Sequence, residues 1–80
     1  MAKGNRDHRY RRLIAELVDA RKRCNLSQEK VAVLLGSHQQ FVSRYETGER
    51  RLDVVEFCDI ARALQLDPGE LLAQHVHPSE

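Results

Sequence analysis

Tryptophan is absent from this chain of 80 residues, and phenylalanine and tyrosine contribute two residues each. Glycine and proline are almost as scarce, at four and two. A β-sandwich needs many turns and β-branched runs, so this composition fits a small helical domain better. Long apolar runs are missing too. The longest, residues 31–35, falls far short of the ~20 residues of a membrane-spanning helix. The amino terminus is charged from Lys3 onward with no apolar stretch behind it, which excludes a secretory signal. Two cysteines, Cys24 and Cys58, are too few for a disulfide scaffold. The expectation is a cytoplasmic protein with free thiols.

The length sets a further limit. A chain this short makes one domain and buries only about 60% of its unfolded surface, which leaves no cleft between domains. No G-x-S-x-G, phosphate-binding loop or H-E-x-x-H motif is present, so an enzyme is not expected. His75 and His77 lack a C-x-x-C partner, and structural zinc needs four ligands at tight spacing. No metal, cofactor or small-molecule ligand is expected.

What is present is an uneven charge distribution. Residues 1–24 carry eight Lys or Arg against three acids, whereas residues 25–80 carry five against nine. The net charge of +1 conceals this dipole. A basic face can meet nucleic acid even on a nearly neutral chain; a solvated basic helix accounts for the same numbers.

Caps and apolar spacing divide the chain into five helices. The first covers about residues 7–24, with Leu13, Ile14, Leu17, Val18 and Arg21 on one stripe and Asn25 at its end. Ser27 caps the second, whose apolar side is Val31, Leu34 and Leu35, and Gly36 stops it. The third opens at Ser37 with Gln40 three residues on, an S-x-x-Q capping box, and Gly48 ends it. The fourth opens at Asp53 with Glu56 in the same relation, and Val55, Phe57, Ile60, Ala61 and Leu64 form its apolar side. Asp67, Pro68 and Glu70 start the fifth, which Leu71 and Leu72 edge. The domain spans residues 13–75, preceded by a basic arm that runs into the first helix (residues 1–12) and followed by a tail (residues 76–80).

One glycine and one serine join the second and third helices, which forces a steep crossing, as in a helix-turn-helix. Unrolled at about 100° per residue, the third helix places Gln39, Gln40, Ser43 and Arg44 on one arc. Phe41, Val42 and Tyr45 fall on the other. Gln can hold an adenine edge and Arg a guanine edge in a major groove. A plain amphipathic helix with a solvated polar side has the same arc.

Residues 26–46 read LSQEKVAVLLGSHQQFVSRYE, and TGERRLDVVEFCDIARALQLDPGELL follows. This segment resembles the Cro/C1-type (XRE-type) helix-turn-helix family. The resemblance covers roughly residues 13–72, through L-S-Q-E-x-V-A, the turn glycine, V-S-x-Y-E-x-G and I-A-x-A-L. It implies an all-α, five-helix, lambda-repressor-like domain that sets residues 37–46 in the major groove of double-stranded DNA. By the same resemblance Gln39, Gln40, Ser43 and Arg44 face the bases, and Gln28, Arg50 and Arg51 meet phosphates. Gln28 also braces the reading helix, and an Arg21–Glu46 ion pair fixes its angle. Phe41 stands where similar members carry a small or polar residue; it either touches a thymine methyl or covers the edge of the core. The partner is expected to be a palindromic operator bound by a homodimer, with the stretch from Leu71 to His77 as the dimer contact. The alternative is a protein-docking module of the same fold, antitoxin-like or bridging, with weak or no DNA binding.

Overall fold

The computed structural model describes residues 7–76. Lys3 and Arg6 of the basic arm, and His77 with the rest of the tail, lie outside the described residues. Within them are five helices: α1 (His8–Arg23), α2 (Gln28–Leu35), α3 (Gln39–Thr47), α4 (Val54–Ala63) and α5 (Pro68–His75). None is long and apolar enough to cross a membrane.

The helix starts follow local chemistry. Asp7, Ser27, Asp53 and Asp67 each accept a hydrogen bond from a first-turn amide. Asp53 and Glu56 complete the reciprocal box, and Pro68 sits in the first turn of α5. The Ser37–Gln40 box does not form. His38 caps α3 and makes no side-chain bond. Ser37 is spent on the previous helix, where its N–H donates to the Ala32 carbonyl at 2.8 Å. The start of α3 therefore shifts by one residue, and Gln40 is released from capping.

The helix stops repeat one device. Asn25, Gly36, Gly48 and Gln65 all take a left-handed conformation. After each, the next N–H reaches back five residues: Leu26 to Arg21, Ser37 to Ala32, Glu49 to Arg44 and Leu66 to Ala61, at 2.8–3.1 Å. This closure satisfies carbonyls that a helix end otherwise leaves bare. Glycine at 36 and 48 adopts the geometry without strain, and asparagine at 25 tolerates it.

The core takes a stripe from every helix. It consists of Leu13, Ile14, Leu17 and Ala20 from α1, Val31 and Ala32 from α2, and Val42 and Tyr45 from α3. Phe57, Ile60 and Ala61 of α4, its cap Leu64, and Leu71 of α5 complete it. Fully burying one such large side chain is worth ~1.5–3 kcal/mol. Three apolar assignments change. Leu34 and Val55 are exposed, because α2 and α4 are short and present only narrow stripes inward. Leu71 is a core residue and thus no dimer contact, while Leu72 beside it remains open.

Candidate nucleic-acid interface

α3 sits on the core through Val42 and Tyr45, both fully buried. Its opposite face is polar. Gln39, Gln40 and Arg44 are exposed and Ser43 is half-buried, so the four residues chosen from the sequence do share one face. Arg44 makes only a long contact with Glu49, 3.7 Å between Nε and Oε1, with both side chains mostly in solvent. Burial pushes the Tyr45 phenol well above its usual pKa, with the neighbouring Glu46 charge adding to the effect, so the ring stays neutral beneath the helix.

A chain of hydrogen bonds runs from α1 to the tip of α3. Arg21 donates to both Glu46 oxygens, from Nε at 2.7 Å and Nη2 at 3.1 Å. Its Nη1 donates to the Leu26 carbonyl at 2.9 Å, holding the α1–α2 joint. The Glu46 carboxylate holds the Arg21 guanidinium above its usual pKa. Gln28 Nε2 donates to Glu46 Oε1 at 2.9 Å, and Gln39 Nε2 donates to Gln28 Oε1 at 2.7 Å.

The direction of this relay is fixed at one end. An ionised carboxylate only accepts, so Gln28 must turn its amide nitrogen to Glu46 and its oxygen to Gln39. Gln39 must then donate one N–H inward. That bond leaves its oxygen and second N–H, an acceptor and a donor on one exposed side chain, for another partner. That pair matches the adenine edge, which offers a donor at N6 and an acceptor at N7.

The loop after α3 is organised differently. Arg50 grips Glu56 with both Nη atoms, at 2.9 and 3.0 Å, and Nη1 also meets the Arg51 carbonyl. Its guanidinium lies 5.0 Å above the Phe41 ring, which in turn meets Tyr45 edge-on at 5.4 Å. Phe41 therefore covers the core edge under a cation. Arg51 is exposed, with its guanidinium 5.5 Å from the Tyr10 ring centroid. The Tyr10 hydroxyl accepts from the Leu52 N–H at 3.1 Å.

Tyr10 escaped the sequence reading. Its contacts join residues about forty positions apart, and no local spacing signals them. Glu56 was legible as a cap, yet its second task, holding Arg50, was not.

A helix-turn-helix family model matches residues 17–71 of the chain. No curated protein matches it. Among solved structures, an XRE-family like protein from Pseudomonas syringae pv. tomato str. DC3000 is 42% identical to the chain and superposes with a TM-score of 0.82. The match covers 86% of this chain and 84% of that one.

Proposed function

The chain belongs to the XRE family of helix-turn-helix proteins, and on that premise we propose that it is a cytoplasmic, sequence-specific DNA-binding regulator. In this reading α3 lies in the major groove and Gln39, Gln40, Ser43 and Arg44 read base edges. Gln28, at the first turn of α2, and Arg51, in the loop, meet phosphates. Arg50 joins them only by loosening its grip on Glu56. Two copies bind a palindromic operator, because one reading helix spans too few base pairs for a useful specificity ratio. Their half-sites lie about 34–36 Å apart, one helical turn.

The observation that carries this reading is the relay ending at Gln39. A glutamine held through Gln28, by two hydrogen bonds, to a largely buried carboxylate is costly to order unless its remaining amide groups have a task. The docking-module alternative has less support, since a docking helix exposes apolar side chains and α3 buries its own. Selection of bound oligonucleotides from a random pool, followed by gel shifts across a salt series, tests the proposal. It requires an enriched, symmetric sequence with adenine in each half-site. Equal, weak retention of all sequences would count against it.

A further inference from the structure

The loop between α3 and α4 is tied at both ends by its own helices. At its start the Glu49 and Arg50 N–H groups share the Arg44 carbonyl, at 2.9 and 3.2 Å. At its far end the Asp53 N–H donates to Glu56 Oε1 at 3.0 Å. The middle is held from elsewhere. Tyr10, in the first turn of α1, takes the Leu52 N–H on its hydroxyl and sets its ring beneath the Arg51 guanidinium. The ring is half-buried and packed against the core, which makes it a firm seat in a close-packed interior.

The loop's two arginines thus sit on two partly buried rings, Arg50 on Phe41 and Arg51 on Tyr10. They differ in what their donors do. Arg50 gives its N–H groups to Glu56 and to the Arg51 carbonyl. Arg51 has no ion-pair partner among the described residues. Stacking engages the face of a guanidinium and leaves its five N–H donors, which lie in the plane, for another acceptor. A loose arginine gives up rotamer freedom when it meets a phosphate, whereas a seated one has given up much of it on folding.

We propose that Tyr10 is the positioning residue of this loop's nucleic-acid contact: it ties the middle of the loop to α1 and holds Arg51 ready for a backbone phosphate. The proposal rests on the regulator reading above, and adds to it a residue of α1 that acts through Arg51. The ring orders the guanidinium, and the hydroxyl fixes the main chain that carries it. The two parts of one side chain therefore have separable effects. Loss of the ring weakens every DNA alike, since a phosphate contact carries no sequence information.

The test begins with the full chain free of DNA. Its proton spectrum should show the Arg51 side chain shifted upfield by the Tyr10 ring, and the Leu52 amide protected from solvent exchange. Tyr10→Leu should abolish both signatures. Tyr10→Phe should keep the first and lose the second. Unshifted Arg51 protons in the parent would overturn the proposal, whatever the stability of any variant. Affinities for the selected DNA and a random DNA then complete a cycle of Tyr10→Leu, Arg51→Ala and the pair. Tyr10→Leu should weaken both DNAs ~2–5-fold and lower the salt slope, and should cost nothing further once Arg51 is alanine. Tyr10→Phe should keep the parent's slope; a slope as low as that of Tyr10→Leu would deny the ring its role and overturn the proposal. An equal loss from Tyr10→Leu with and without Arg51 would make Tyr10 a packing residue, and full affinity in Tyr10→Leu would leave it no part at all; either overturns the proposal. A parent that shows both signatures and binds no DNA would remove the regulator reading and the proposal with it. A parent that binds DNA with an additive cycle would remove the proposal alone.

Discussion

Two arginine–glutamate pairs flank α3, and both are bidentate with bonds of 2.7–3.1 Å. They differ in what surrounds them. The Arg21 and Glu46 side chains are 13% and 8% exposed, and every polar edge of the pair meets another group of the fold. The Arg50 and Glu56 side chains are 45% and 29% exposed and close a surface loop. The same bond lengths therefore carry different consequences. A pair withdrawn from water cannot lose one partner without stranding the other, whereas water replaces the missing partner at the surface.

The largest expected effect comes from breaking the inner pair. Glu46→Gln or Arg21→Met should cost about 3 kcal/mol, near the lower end for a buried pair that keeps some contact with water. Denaturant midpoint and affinity for the selected DNA should fall together. Arg21→Met combined with Glu46→Leu removes both charges and should restore much of the stability. Affinity should stay low, because Gln28 has lost the acceptor that orients it. Recovery of affinity along with stability would reduce the pair to a packing element.

Next in size are the exposed arginines that neither pair contains. Arg44→Ala should weaken binding to the selected site by ~1–3 kcal/mol and leave random DNA almost unaffected. Titrations against both DNAs check this, and an equal loss on the two would make Arg44 a phosphate contact. Arg51→Ala should weaken both DNAs alike and reduce the log–log salt slope by about one. An unchanged slope would remove Arg51 from the DNA backbone.

The smallest effect belongs to the outer pair. The Arg50 guanidinium, and after it the Asp53 N–H, hold the Glu56 carboxyl below its ordinary pKa of 4.5. A depressed folded-state pKa contributes stability that is complete above the unfolded value and vanishes as pH falls through the folded one. Glu56→Gln should therefore melt slightly below the parent at pH 7, and the gap should close in acid. A gap that widens in acid would mean that another group controls the loop.

The contrast between the pairs was only half legible in the sequence. Arg21 and Glu46 stand on the inner stripe and the seam of their helices, and the resemblance paired them. The resemblance makes Arg50 a phosphate contact, and its grip on Glu56 is not legible because nothing local links the two residues, six positions apart across a loop and a helix start. All five helices were legible, since their caps and stops lie within a few residues of each end. The failure at Ser37 is instructive. A serine and a glutamine at capping-box spacing are not enough when the preceding helix needs that serine's N–H for its own closure. The exposure of Leu34 and Val55 was hidden for another reason. An apolar residue in a short helix reads as core by composition, and only the packing angle decides whether the stripe reaches it. The Gln28–Gln39 bond was out of reach, since its sense depends on a carboxylate brought near by tertiary structure.

The helix stops carry a consequence for how such a domain can change over generations. α3 is bounded on both sides by glycines whose closures use main-chain atoms. The side chains of Gln40, Ser43 and Arg44 take no part in those closures, and none of them belongs to the buried core. Substitution there can alter the face that α3 presents while leaving the frame that presents it intact. Gln39 is different, tied by a side-chain bond to Gln28. In the proposed DNA reading the helix thus divides into one tethered contact and three replaceable ones, so that retargeting would fall on positions 40, 43 and 44 and spare 39.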